Sequence, residues 1–385
     1  MIYPDYESGS ILNLVSTILN FYKIPALYPP LHNFILPEHK RLAFIVIDGL
    51  GMSFLESHGR DSRLYQHTLG ELTSVFPSTT SCALVSLMTG VAPLQHALTG
   101  WYMYFRELGT AGLPLPFKAR FTDKTFFDMG VDANEIFDFE TIFSSLKKEI
   151  FVTTPQITIN SAFSKFCFEN IPQKGFTSLK DSFQIIKQQL ISKPQTEKIY
   201  AYIPYFDDVA HTYGINSRQS IDLFHQIDDL FFDLFKNIDD PDTLFVITAD
   251  HGLLDTTKEQ ILYLKDYPDI KKCLILPLCG EPRVPYCYIS PSKLDYFHEA
   301  VDEQLGSFCD RYTQKEVLEM QLYGTGKANP RFYDRIGDEI LIMKGNYVLL
   351  DRVYHEKDVS IVGFHGGMSR EEMMVPLVVY HNKIK

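Results

Sequence analysis

Thr243-Leu-Phe-Val-Ile-Thr-Ala-Asp250-His251-Gly252 is the stretch whose reading decides the fold. A continuous run of apolar and β-branched residues makes a strand with no polar face, and such a strand is stable only where both faces of its sheet are covered. It ends abruptly on an acid, an imidazole and a glycine. Two further stretches share this grammar: Leu42-Ala-Phe-Ile-Val-Ile-Asp48-Gly-Leu-Gly51 and Ile199-Tyr-Ala-Tyr-Ile-Pro-Tyr-Phe-Asp207-Asp208. Helical stretches separate the three, so the pattern predicts an α/β fold on a doubly wound, mostly parallel sheet. In such sheets ligands bind beyond the carboxyl ends of the strands. All three runs carry their ionisable residues there.

Outward from these runs, the spacing of Ile221, Phe224, Ile227, Leu230, Phe231, Leu234 and Phe235 predicts a helix capped by Ser217 and running to about residue 238, with Asp222, Asp228, Asp229 and Asp233 mostly on its other face. Residues 100–150 are rich in aromatics, Gly and Pro and read as a loop-rich excursion over the active face. Residues 253–363, punctuated by Pro268, Pro277, Pro282, Pro285 and Pro291, read as a smaller inserted subdomain, which leaves 1–252 and 364–385 as the α/β core. A chain of 385 residues with 45% hydrophobic side chains is long enough for both.

The net charge of −12 argues against a nucleic-acid surface, which needs clustered Lys and Arg to displace counterions. The opening residues carry no basic cluster, and no run approaches the roughly 20 apolar residues of a spanning helix. The six cysteines form no CxxC pair and no dense framework. These features lead to the expectation of a cytoplasmic protein without a membrane span, with signal-independent export left open. The oligomeric state is not legible.

The chemistry resides in five short motifs. Asp48-Gly49 alone reads equally as a turn. In Asp207-Asp-Val-Ala-His211 the four-residue spacing places a carboxylate and an imidazole on one helical face, where both can grip one ion; capping by Asp207 or Asp208 leaves the histidine unexplained. Asp250-His251-Gly252 offers an oxygen and a nitrogen donor in succession, with the glycine expected to let the backbone turn sharply. His365, in Gly363-Phe-His-Gly-Gly367, is flanked by glycines and precedes a capping box at Ser369 and Glu372 and a final strand over residues 374–380. In Phe76-Pro-Ser-Thr-Thr80, hydroxyls stand at the start of an apolar helix, where free N–H groups favour negative charge, although Ser and Thr are also ordinary caps. Three Asp and three His suit two divalent ions, most simply Zn²⁺ with Mn²⁺ or Fe as competitors, and such a pair clamps an in-line displacement at phosphorus. Neither a GxSxG elbow nor a P-loop is present.

In order and wording these motifs resemble the alkaline phosphatase superfamily, and within it the type I phosphodiesterases and nucleotide pyrophosphatases. The resemblance spans residues 42–380 and implies an alkaline phosphatase-like fold. It implies one metal held by Asp48, Thr80, Asp250 and His251, and a second held by Asp207, His211 and His365. Thr80, reached from Pro77 by the family's Pro-x-x-Thr spacing, is the implied nucleophile, forming a phospho-threonine intermediate on a small-molecule phosphoester, with a nucleotide among the candidates. One departure stands out: the family's Asn that holds a nonbridging phosphate oxygen is replaced by Trp101. Trp101 and Tyr102 are candidates for stacking on a flat substrate group, with core packing the alternative. A phosphomonoesterase or phosphonate hydrolase on the same framework, and a non-catalytic binding protein, are the competing readings.

Overall fold

The computed structural model describes residues 1–146, 150–193, 196–238, 240–353, 356 and 361–381. Residues 354–355 and 357–360 of the inserted segment, 147–149 of the excursion and 382–385 of the core segment lie outside the described residues.

The central sheet has seven strands: β1 (Arg41–Ile47), β2 (Thr68–Thr73), β3 (Ile150–Pro155), β4 (Gln173–Phe176), β5 (Lys198–Ile203), β6 (Thr243–Thr248) and β7 (Met374–His381). Their spatial order is β2-β7-β6-β1-β5-β3-β4. β1 lies parallel between β5 and β6, and β3 lies parallel between β4 and β5. β7 runs antiparallel to both β6 and β2. The three apolar runs of the sequence are therefore the three adjacent strands β6, β1 and β5, all pointing one way. Every residue of β6 and all but the first of β1 are buried, as strands covered on both faces require.

Five helices matter for the site: α1 (Ile11–Phe21), α2 (Thr80–Thr89), α3 (Leu179–Ser192), α4 (Tyr205–Tyr213) and α5 (Arg218–Asn237). α5 starts where its sequence signals, with the Ser217 side chain accepting from the Ser220 N–H. Phe224, Ile227, Phe231, Leu234 and Phe235 are its buried face, each contributing roughly 1.5–3 kcal/mol by removal from water. The acids of α5 do not all face solvent. Asp228 is buried because its two carboxylate oxygens accept the Arg63 and Leu64 N–H groups at 3.1 and 2.9 Å, satisfying the start of the helix Arg63–Gln66.

Within residues 253–363, the strands Cys279–Glu281, Val284–Cys287, Glu339–Met343 and Cys309–Thr313 form an antiparallel sheet in that spatial order. Phe297, Ala300 and Val301 of the helix Leu294–Gln304 share a core with Cys287, Leu341 and Met343. A second core joins Val284, Tyr286 and Ile340 to Phe76, Leu94, Ala97 and Ala111 from the first part of the chain. Leu254–Asp255 pairs antiparallel with Gly363–Phe364, so the chain leaves the large sheet and returns to it side by side.

One buried ion pair clamps this segment to the end of the chain. The Arg283 guanidinium meets the Glu372 carboxylate through two bonds of 2.9 Å, and donates to Tyr347 O at 2.6 Å. Glu372 also accepts from the Gly367 N–H at 2.8 Å and completes the capping box with Ser369. Burial acts to raise the Glu372 carboxyl, but Arg283 and the bonds from Gly367 and Ser369 outweigh it and hold it below the usual 4.5. A depressed folded-state value means the stabilisation is fully present above 4.5 and is lost as pH falls through the lower, folded value. Removing one partner strands a buried charge, so Glu372→Gln is expected to cost about 3–5 kcal/mol at neutral pH in urea unfolding. The gap between wild type and variant should narrow as pH drops below that range; a constant gap would refute the linkage.

Candidate active site

The parallel direction of β6, β1 and β5 delivers three acids to one edge. Asp48 follows β1, and its N–H donates to Ile203 O of β5 at 3.0 Å. Asp250 follows β6; its Oδ1 accepts from the N–H groups of Gly49 (3.1 Å) and His251 (3.0 Å). Asp207 lies in the first turn of α4 and is buried, whereas Asp208 is exposed. One turn later His211 places Nε2 at 3.2 Å from Asp207 Oδ2.

Glycines let these segments meet, in two different ways. Gly49 sits at φ +75°, where a side chain would also strike Leu253 and Asp207. Gly252 does not adopt a left-handed turn, contrary to the expectation of a sharp bend there: a Cβ on it would lie 2.1 Å from Glu371 O and 2.8 Å from Gly51 Cα, so its role is close backbone approach.

The three imidazoles share one orientation. Nδ1 of His211 lies 2.7 Å from Gly363 O, that of His365 3.1 Å from Ser78 O, and that of His251 3.1 Å from Gly252 O. A carbonyl only accepts, so each Nδ1 is the donor and each ring turns Nε2 inward, the second contact by which proteins orient metal-binding histidines. His251 Nε2 lies 3.4 Å from Asp48 Oδ1 and 3.5 Å from Asp250 Oδ2. The His251 and His365 rings stack at 3.8 Å, and His211 lies 5.1 Å from His365.

The Nε2 atoms and the carboxylate oxygens therefore crowd one small volume, where buried negative charge calls for positive charge between them. Asp48 Oδ1, Asp207 Oδ1 and Asp250 Oδ2 are all buried without a hydrogen-bond partner. Two donor groups, Asp48/Asp250/His251 and Asp207/His251/His365, each have ligand atoms within 4.8 Å of one another. Oxygen and imidazole donors of this kind fit two divalent cations.

Thr80 is the first residue of α2, and its Oγ1 lies 3.1 Å from His251 Nε2. Thr79 occupies the cap position but makes no capping bond; its hydroxyl donates instead to Glu281 Oε1 at 2.6 Å. The Thr79 hydroxyl is thus not spent on helix capping, and Ser78 donates to Gly367 O at 2.8 Å.

Residues 42–368 match the family model of the type I phosphodiesterases and nucleotide pyrophosphatases. The chain belongs to this family. Its members are metal-dependent enzymes acting on phosphodiester and pyrophosphate bonds, and the two donor groups stand where this phosphodiesterase-family chain brings its motifs together. Among solved structures the fold is similar to that of murine ectonucleotide pyrophosphatase/phosphodiesterase 5, at 16% identity and a TM-score of 0.65, over 88% of this chain and 87% of that one. The human protein of the same name gives 17% and 0.66 over the same shares, and an inactive form of the murine protein in complex with AMP gives 17% and 0.65, again over 88% and 87%. Among curated proteins, the sequence comparison finds no match.

The electrostatics of this phosphodiesterase-family site follow from burial and crowding. Burial, then the charges of Asp250 and Asp207, push the Asp48 carboxyl up. Burial would raise Asp207 too, but the imidazoles of His211, His365 and His251 prevail and hold it well below the carboxylate range. Burial would lower His211, yet Asp207 and the Gly363 carbonyl raise it to about 9. His365 is pushed down by burial and by the two neighbouring imidazoles.

Three contributors were not legible as site residues. The Tyr202 hydroxyl donates to Asp48 Oδ2, and the Ser74 hydroxyl donates to Asp250 O. Glu281, from the segment 253–363, accepts from Thr79 and from the Trp101 N–H at 2.7 Å; burial pushes its carboxyl up to about 7 against these bonds and His211. Trp101 is half-buried. Tyr102 lies under the Arg120 guanidinium, 3.9 Å from its ring centroid, and packs on the second core.

Divalent cations should satisfy the orphaned oxygens and raise thermal stability, by about 2.7 kcal/mol at a free concentration 100 times Kd. Tyr202→Phe removes a contact that orients Asp48, and calorimetry should show metal affinity reduced about 10–100-fold. An unchanged affinity would exclude that orienting role.

Proposed function

We propose that the protein hydrolyses phosphodiester or pyrophosphate bonds of a nucleotide-type small molecule, with Thr80 as nucleophile. The observation that carries this is the Thr80 hydroxyl, 3.1 Å from His251 Nε2 and beside three buried, unpartnered carboxylate oxygens. Asp48, Asp250, His251 and Thr80 would hold one cation, and Asp207, His211 and His365 the other; the oxygen and nitrogen donors suit Zn²⁺, with Mn²⁺ and Fe as competitors. When bound, such cations neutralise charge on the phosphoryl oxygens and lower the pKa of a nearby hydroxyl or water.

Thr80 Oγ1 forms a bond to phosphorus as the bond to the leaving oxygen breaks, giving a phospho-threonine. Water then displaces Thr80 from phosphorus, and two inversions yield net retention. The position of Thr80 at the first turn of α2 aims free N–H groups at the same place, favouring the negative phosphoryl group. A nucleotide-type substrate is supported by the AMP bound to the murine structural relative, and Trp101 beside Glu281 is the side chain we assign to stack on a base. Six free, buried cysteines support placing the enzyme in a reducing cytoplasm.

Thr80→Ala in metal-loaded enzyme is expected to lower kcat on an aryl phosphodiester by about 10³-fold or more while bound metal is largely kept. Wild-type turnover by that variant would remove Thr80 from the chemistry. Release of AMP from dinucleotides or nucleoside triphosphates, against no turnover of non-nucleotide diesters, tests the substrate class.

A further inference from the structure

Glu281 is a fourth acid at the site and plays no part in the chemistry above. It is 6% exposed and reaches the cleft from the strand Cys279–Glu281. Its Oε1 is fully engaged by the Thr79 hydroxyl at 2.6 Å and the Trp101 N–H at 2.7 Å. Those partners bracket the nucleophile on one side and the position of the family's phosphate-binding Asn on the other. Its Oε2 accepts no hydrogen bond among the described residues and keeps a little solvent contact although the side chain is buried. On the remaining side lies the loop after His365: a Cβ on Gly366 would come within 2.8 Å of the Glu281 Cβ and Cγ. The carboxylate is therefore anchored to the residue before Thr80, and its second oxygen is left without a protein donor.

Charge bookkeeping gives this oxygen a consequence. Three aspartates against two divalent cations leave the site one positive charge, which suits a monoanionic phosphodiester. When ionised, the Glu281 carboxylate cancels it and adds negative charge on the Thr79 side of the phosphoryl group. Repulsion between like charges in a partly dry site is worth enough to discriminate substrates, and discrimination of this sort needs a repulsive element. We propose that Glu281 is a specificity-determining residue that ranks substrates by the charge on the phosphorus attacked, excluding dianionic phosphomonoesters and favouring monoanionic diesters. This rests on the phosphodiesterase reading and refines it.

Glu281→Gln is the direct test, because the amide carbonyl still accepts from Thr79 and Trp101 while the charge is gone. In metal-loaded enzyme the ratio of kcat/KM for p-nitrophenyl phosphate to that for bis(p-nitrophenyl) phosphate is expected to rise about tenfold or more, and inorganic phosphate to bind correspondingly tighter by calorimetry. Thr79→Val, which keeps the charge and loses the hydroxyl, should retain the wild-type ratio. The unaltered protein supplies a third arm: dimethyl phosphate should bind it at least as tightly as inorganic phosphate. A ratio and a phosphate affinity that stay within about twofold in Glu281→Gln, a Thr79→Val variant that shifts as Glu281→Gln does, or a wild-type protein that prefers phosphate would each overturn the proposal. If wild type turns over neither ester, the hydrolase reading fails, while the binding arms still decide whether Glu281 sorts anions by charge.

Discussion

Three buried carboxylates, Asp48, Asp207 and Asp250, each present an unpartnered oxygen to the same small volume, and the rest of the architecture is arranged around the positive charge they require. A buried anion without a partner is among the most unfavourable elements a fold can contain. Here three of them are held together by elements that could not easily release them: β1 and β6 are central strands, and α4 is tied to β5 through Pro204. The tension shows in the raised carboxyl of Asp48, driven by burial and by its two acidic neighbours. Among the described residues no Lys or Arg is paired with Asp48, Asp207 or Asp250, and the basic side chains beside them are imidazoles. Those imidazoles in turn donate their Nδ1–H groups to backbone carbonyls and turn Nε2 toward the carboxylates. A donor set with this balance is stable as a whole only when divalent ions complete it.

Such crowding needs backbones closer than side chains allow. Gly51 and Gly252 bring the turns after β1 and β6 into contact, and Gly363 brings the His365 loop onto the Ala210 carbonyl of α4. The Arg283–Glu372 pair then ties that loop to the antiparallel sheet of the segment 253–363. Its Gly367 N–H contact reaches within two residues of His365, so an ion pair with no chemical role helps decide where an imidazole stands. Stability and site geometry are the same problem here.

Much of this was legible from sequence because two simple rules combine. A two-face-buried strand announces itself as an uninterrupted apolar run, and a parallel sheet places the ends of such runs on one edge. Asp48, Asp207 and Asp250 needed nothing more, and His211 follows from Asp207 by helical period. Thr80 and His365 were readable through their local surroundings, a helix start and a glycine-flanked loop. What escaped had no local signal. Tyr202 lies in the middle of an apolar run and reads as core; only pairing of β5 with β1 turns its hydroxyl onto Asp48. Asp228 looks like one more acid on a polar helix face, and its burial depends on a short helix 165 residues earlier in the chain. Glu281 precedes Pro282 and reads as a turn, because its partners Thr79 and Trp101 are distant in sequence. Gly252 was recognised as special for the wrong reason: sequence cannot distinguish a glycine that bends from one that is pressed against another backbone.

The distribution of these residues between the large sheet and the segment 253–363 separates two tasks. The candidate donor atoms for cations come mainly from strand ends and from α4, which follows directly on a strand paired to β1. Glu281 arrives from the other sheet, packed through Tyr286 against Thr99 and pinned where Gly100 meets Gly280. It makes no hydrogen bond to a candidate cation ligand, and its influence on His211 and Asp207 is through charge alone. On our proposal a charge placed this way alters which substrate is favoured, while its contact is with the cap residue of α2 and not with the reacting oxygen. In the same place Trp101 substitutes a large apolar ring for the amide of the family pattern, and its N–H, not its side chain, is what Glu281 holds. Removing a donor to phosphate oxygen and adding an acceptor beside it act in the same direction: both make a highly charged phosphoryl group less welcome. On our proposal Trp101 and the Glu281 carboxylate act together as one adjustment of the field around phosphorus.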